Sequence, residues 1–107
     1  MAYSTQKAAV CFAELGHPKR LAIIRALVKA GSDGLSMGDI ATQTNTPNST
    51  LTHHITKLEA AGLIKRQKIT RTLFCWVNLE TIQTLSDFLF SHIASKVTFS
   101  IEDGVSL

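Results

Sequence analysis

The chain has 107 residues and a net charge of +3, which together predict one small domain. No apolar run approaches the roughly 20 residues that a membrane span needs, and the N-terminus lacks a signal-peptide pattern, so we expect a cytoplasmic protein with no membrane partner. The sequence has no glycine-rich phosphate loop, nucleophile elbow or His-Glu-x-x-His run, so we expect neither an enzyme nor a cofactor. We assign residues 1–107 to this domain, with its core at about 4–94 and a tail at 95–107.

The first two helices are predicted from apolar residues at helical spacing. From Ser4 to Leu15 this spacing predicts a first helix, which Gly16 ends. Pro18 suits the first position of a second helix, because the N–H that proline lacks has no helical partner there. We expect the second helix to bury one stripe, formed by Leu21, Ile24, Leu27 and Val28.

Two more helices follow, joined by a tight turn. Gly31 to Gly34 is predicted to be a loop, and Ser36 is a suitable N-cap for a short third helix. Asn45 suits the left-handed conformation of the turn. Thr46 is predicted to cap the fourth helix, with Pro47 at its first position. The third helix is expected to bury Met37, Ile40 and Ala41.

The fourth helix has two distinct faces. Leu51, Ile55 and Leu58 share one side and are predicted to enter the core. The opposite side carries hydroxyl, amide and imidazole groups, which suit base edges and phosphates better than a face built for solubility does. The residues that we predict to contact DNA from this helix are Asn48, Ser49, Thr50, Thr52, His53, Thr56 and Lys57.

Basic charge is concentrated around the fourth helix and the segment after it. Positions 47–77 hold five basic residues and one acidic residue, a local charge of +4 (five minus one), which leaves −1 (three minus four) for the rest. Leu63 to Lys68 and Thr72 to Val77 are β-rich runs that predict a hairpin. Its basic residues can be an ordinary solvated edge, but we favour contact with phosphates or the minor groove. They are Lys65, Arg66, Lys68 and Arg71.

A last helix is predicted from Leu79 to about Ala94. Its apolar residues occupy more than one stripe, and a domain this small cannot bury them all against its own core. We therefore expect a homodimer face on this helix. The tail from Lys96 alternates as a short strand does.

The order of helix, turn, polar-faced helix and basic hairpin resembles the ArsR family of winged helix-turn-helix repressors. The resemblance rests on residues 15–21, 47–55 and 58–64, followed by Arg71 and the strand before the last helix. It implies a mainly α fold with a small β-hairpin wing, dimerised through the first and last helices. It also implies that the dimer binds double-stranded operator DNA with half-sites about one helical turn apart.

The resemblance further implies release of the operator when a small-molecule effector binds or when the dimer is oxidised. The sensing sites known in the family do not carry over. The third helix, residues 37–43, lacks the cysteines of one family site, and Glu80, Ile82, Ile93 and Lys96 stand where another places its metal ligands. We therefore predict no metal site.

The cysteines and histidines allow both functional and structural interpretations. Cys11 and Cys75 are expected to be reduced thiols packed in the core, the alternative being a disulfide between them that loosens DNA binding. His53 is predicted to contact DNA, and His54 to be a packed histidine with a local hydrogen bond. His17 is expected to start a helix, and a metal site at His92 has little support.

The main prediction is thus a DNA-binding transcriptional regulator. The alternative is a winged-helix module that contacts other proteins without binding DNA. That role would favour an apolar or acidic outer face on the fourth helix, whereas the face here is polar and basic.

Overall fold

The computed structural model describes residues 4–91 as five helices and a three-stranded antiparallel sheet. The expected end of the last helix near Ala94, His92 and the tail lie outside the described residues. The elements in chain order are α1 (Thr5–Leu15), α2 (Pro18–Ala30), a 3-10 turn (Gly31–Asp33), β1 (Leu35–Ser36), α3 (Met37–Thr44), α4 (Asn48–Ala60), β2 (Ile64–Ile69), β3 (Thr72–Val77) and α5 (Leu79–Phe90).

Local capping bonds explain where several helices begin. The Ser4 hydroxyl accepts a hydrogen bond from the Lys7 N–H, and the Ser36 hydroxyl accepts one from the Asp39 N–H, each at 3.1 Å. His17 caps α2, because its Nδ1 accepts from the N–H of Lys19 at 3.1 Å. The predicted roles of Ser36 and His17 at helix starts are therefore confirmed.

The predicted N-cap of α4 is wrong. The Thr46 hydroxyl lies 2.8 Å from the hydroxyl of Thr44 and 3.2 Å from its carbonyl oxygen, so it bonds backwards along the chain. Pro47 occupies the N-cap position, one residue earlier than expected. Among the described residues, no side chain caps this helix.

The buried face of α2 also differs from the prediction. Ile23, Ile24 and Leu27 are buried, whereas Leu21 and Val28 are 48% and 47% exposed. At about 100° per residue, the three buried residues span one arc of about 100°, and the two exposed residues lie just beyond it on the Ile24 side. Packing against the other helices therefore selected an arc that apolar spacing alone did not identify.

The sheet has order β1-β3-β2, so the predicted hairpin gains a third strand. β1 pairs Leu35 with Cys75 and Ser36 with Phe74. Its two residues are too few to show an alternating pattern in sequence. Because β1 leads directly into α3, this pairing ties the start of α3 to the hairpin.

The hairpin turns in two residues. β2 and β3 pair from Ile64↔Val77 to Ile69↔Thr72, which leaves Thr70 and Arg71 as the turn. Both have positive φ, 48° and 71°, as a type I′ hairpin requires of its central residues. The tight connection suits the right-handed twist of the strands, although neither residue is glycine or asparagine.

One core joins these elements. Leu85 on α5 is 3% exposed, and Ile82 and Phe88 pack against the same core. Within residues 4–91, no helix is both long and apolar enough to cross a bilayer. The side chains with no exposed surface are Ile23, Leu27, Ile40, Leu51, Ile55, Leu58, Leu63 and Cys75.

Candidate nucleic-acid interface

The turn between α3 and α4 sets the direction of α4. Asn45 adopts the left-handed conformation, with φ 50° and ψ 53°, as predicted. The Lys19 ammonium of α2 donates to the carbonyl oxygens of Thr44 at 2.6 Å and of Asn45 at 3.0 Å. A cation at these carbonyls also complements the negative end of the α3 dipole. The turn is therefore held both by its own backbone and from α2.

The two faces of α4 separate as the helical wheel predicts. Leu51, Ile55 and Leu58 have no exposed surface. The structure places all seven predicted DNA-contact residues of α4 on the solvent side, and their contact with DNA stays a prediction. They are Asn48, Ser49, Thr50, Thr52, His53, Thr56 and Lys57.

The hydroxyl of Thr52 is partly committed within the helix. It donates to the carbonyl oxygen of Asn48 at 3.0 Å. Its oxygen lone pairs still face solvent, and so does the methyl group, so the side chain can accept a hydrogen bond or touch a thymine methyl group.

His54 is packed, as predicted, but its hydrogen bond is not local. It is 5% exposed, and its Nδ1 accepts from Nε of Arg20, 34 residues earlier in the chain, at 3.0 Å. The ring of His17 lies 4.7 Å away between centroids. Burial, followed by the charges of His17 and Arg20, lowers the pKa of His54 from its usual 6.5.

The basic residues of the hairpin fall into two groups. Lys65, Lys68 and Arg71 are exposed. Arg66 is half-buried, and its Nη2 donates to the Glu59 carboxylate of α4 at 2.7 Å. Arg66 therefore connects the hairpin to α4, a role that the sequence analysis missed because the two residues belong to different predicted elements.

The two thiols have different surroundings. The Cys11 sulfur donates to the carbonyl oxygen of Ala61 at 3.4 Å, and the Cys75 sulfur lies 3.6 Å from the sulfur of Met37. Burial raises the pKa of Cys75 to about 11, and the nearby Arg66 guanidinium opposes this shift without cancelling it. Because the thiolate is the reactive form, this environment favours a packing role for Cys75.

Within residues 4–91, no group of three or more histidine, cysteine, aspartate or glutamate side chains is arranged to hold a metal ion.

Comparison with known proteins identifies the segment that contains α3 and α4. Residues 15–67 match the profile of a helix-turn-helix domain. An uncharacterised HTH-type transcriptional regulator of Methanocaldococcus jannaschii is 35% identical over 63 residues, which are 59% of this chain and 68% of that protein. The chain belongs to the HTH-type transcriptional regulators.

Solved structures extend the similarity of this regulator beyond the matched segment. An ArsR family transcriptional regulator superposes with a TM-score of 0.71 and 19% identity, over 99% of this chain and 100% of that one. A homodimeric winged helix-turn-helix DNA-binding domain from Mycobacterium bovis, a possible ArsR-family regulator, gives 0.66 and 17%, over 88% and 82%. The regulator therefore has the ArsR-family winged helix-turn-helix fold, as its sequence motifs predicted.

Proposed function

We propose that this regulator is a homodimeric repressor that binds operator DNA in the cytoplasm, with α4 in the major groove and the β2–β3 wing against the backbone. The observation that carries the proposal is the exposed polar face of α4 beside the basic wing. An α-helix fits the major groove of B-DNA, where hydrogen-bonding side chains distinguish base pairs. The test is fluorescence anisotropy of the purified protein with the promoter region of its own gene, at two salt concentrations.

The beginning of α4 supports phosphate contact. The backbone N–H groups in the first turn of a helix have no helical partner, and here no described side chain caps them. Asn48, Ser49 and Thr50 are all exposed at this end. The positive end of the helix dipole thus faces solvent where a DNA phosphate would orient the helix.

The wing supplies the cations. Lys65, Lys68 and Arg71 are exposed, and Arg71 lies at the tip of the rigid two-residue turn. Arg66 contributes charge but is held by Glu59, so we expect it to orient the wing relative to α4 more than to contact phosphate. Neutralising phosphates releases counterions, which makes affinity depend on salt.

An Arg71→Ala variant is expected to bind all DNA sequences more weakly. The slope of log affinity against log salt should fall by about 1 for each phosphate contact that a subunit loses. Anisotropy titrations at four or more salt concentrations measure this slope. Lys29→Ala removes an equal charge from an exposed position on α2 and is the matched control. Equal slopes for both variants, or a changed base preference for Arg71→Ala, would contradict the assigned role.

Exposed apolar residues on α1 and α5 support the dimer. Val10, Leu79, Leu89 and Phe90 are 53%, 58%, 55% and 49% exposed. Large apolar side chains exposed on two terminal helices are typical of a surface that another subunit covers. A two-fold dimer would present two α4 helices about 34–36 Å apart, which matches successive major grooves on one side of DNA.

A Leu89→Glu variant is expected to shift the protein towards monomer. Burying a leucine contributes about 1.5–3 kcal/mol, and two-fold symmetry counts each change twice, so the dimer should weaken at least about 100-fold. Sedimentation velocity over a concentration series measures this. Ser86→Glu adds the same charge at an exposed polar position of α5. If Leu89→Glu remains dimeric, or if both variants dissociate equally, α5 does not form the interface in the proposed way.

Release from the operator is the remaining step. Burial of both thiols and the raised pKa of Cys75 weigh against oxidation as the trigger. We therefore favour a small-molecule effector. A panel of metabolites and metals, scored by the melting temperature of the dimer, tests this, because a ligand of the native state raises that temperature.

A further inference from the structure

The first turn of α2 contacts both helices of the helix-turn-helix. Lys19 donates to the turn that ends α3, and its neighbour Arg20 donates to His54 on α4. The positions of α3 and α4 relative to α2 therefore depend on two adjacent side chains.

Arg20 is itself oriented by α1. Its Nη1 forms an ion pair with the Glu14 carboxylate and also donates to the Glu14 carbonyl oxygen at 3.3 Å. Its Nε remains to donate to His54 at 3.0 Å. Because a guanidinium has fixed planar geometry and only donates, it joins α1 to α4 in one orientation.

This bond defines the protonation state of His54. The Nδ1 atom must offer a lone pair to Arg20, so the ring is neutral and its proton lies on Nε2. The charged or titratable groups around the ring are His17, Lys19 and Arg20 from α2 and His53 from α4. Glu14 of α1 is paired with Arg20. A proton on His54 would therefore add positive charge to a largely cationic, buried environment.

We propose that Arg20 is a positioning residue that holds α4 through His54, so that operator affinity falls when His54 gains a proton. The proposal rests on the proposed function above. A protonated Nδ1 can no longer accept from Arg20, and two donors then face each other at hydrogen-bond distance. The ring must move away, and α4 moves with it because His54 is part of that helix.

The direction of the pH effect follows from the surroundings of the ring. Burial and neighbouring positive charge lower the pKa of His54 below its usual 6.5. The unfolded chain therefore takes up this proton at a higher pH than the native state does. The stabilisation by neutral His54 is complete above about pH 6.5 and is lost as pH falls towards and through the lower native pKa.

The expected pH profile is opposite to the ordinary one. Protonating exposed histidines near DNA adds positive charge and strengthens binding. Here we expect wild-type affinity to fall about tenfold or more between about pH 7 and pH 5 at constant ionic strength. Anisotropy titrations with the promoter DNA measure this fall.

Three variants separate the contributions. His54→Asn keeps an acceptor, because the asparagine Oδ1 is as many bonds from Cα as Nδ1 is, but it does not titrate; its affinity should not fall with acid. Arg20→Met removes the donor and should bind about tenfold more weakly at pH 8. His53→Gln removes the exposed histidine beside the cluster and should keep the wild-type fall.

A nitrogen NMR measurement on the DNA-free protein provides an independent result. We expect His54 to carry its proton on Nε2 at pH 8 and to titrate below 6.5. A proton on Nδ1, a pKa at or above 6.5, or an acid-induced loss of affinity that persists in His54→Asn would each overturn the proposal. So would wild-type affinity that is constant or rises on acidification. Failure of the wild type to bind promoter DNA even at pH 8 would instead overturn the proposed function, and the inference with it.

Discussion

A Gly34→Ala variant is expected to lose about 3 kcal/mol of unfolding free energy, a large part of the stability of a small domain. Gly34 has φ 67° and ψ −174°, a region that is nearly restricted to glycine. An added Cβ would lie 2.6 Å from Nε1 of Trp76 and 2.7 Å from the carbonyl oxygen of Cys75. The indole cannot move away freely, because its N–H donates to the Ser32 carbonyl oxygen at 2.9 Å. Backbone strain and steric overlap therefore add.

Gly31→Ala is the matched control for this prediction. Gly31 also has positive φ, 61°, but an added Cβ would meet nothing within 4 Å. It should cost only the backbone strain, about 1–2 kcal/mol. Urea unfolding followed by circular dichroism measures both losses. Equal losses in the two variants would show that the close approach of Gly34 to β3 has no energetic importance.

A Thr52→Ala variant is expected to lose discrimination at particular operator positions while keeping its general affinity for DNA. A specific base contact contributes about 1–3 kcal/mol, and a symmetric dimer makes each contact twice. The same result is expected for His53→Ala, since both side chains are exposed at the middle of α4. Affinities for a set of operators, each with one base pair changed, measure the discrimination.

Thr42→Ala is the matched control for Thr52→Ala. Thr42 is also an exposed helical threonine whose hydroxyl donates to the carbonyl oxygen four residues earlier, at 3.0 Å, but it lies on α3. The two substitutions therefore change helix propensity and local bonding alike. Thr42→Ala should leave base preference unchanged. A uniform weakening across all operators in Thr52→Ala would place Thr52 at the phosphates and contradict the prediction of base contact.

The sequence predicted the candidate interface well because the relevant signals are local. On α4, the 3.6-residue period separates Leu51, Ile55 and Leu58 from the polar face without any knowledge of the partner helices. Asn45 was predicted in the turn because few other residue types tolerate its conformation.

Other features depend on distant partners and were missed or wrong. On α2, the apolar stripe was placed too far to one side, because Leu21 and Val28 are as apolar as the buried residues. Thr46 has the chemistry of an N-cap, but its hydroxyl bonds to Thr44. The strand Leu35–Ser36 forms only because β3 offers it a partner.

Amino-acid order alone determined the helix-turn-helix, the hairpin, the polar face of α4 and the concentration of basic charge beside it. These depend on periodicity, turn preference and composition, which act over a few residues. The tertiary structure alone decided that Arg66 binds Glu59, that Arg20 links Glu14 to His54, and that Gly34 lies against Trp76. Hydrogen bonds and steric contacts act over only a few ångströms, so residues distant in sequence can be paired only after folding brings them together.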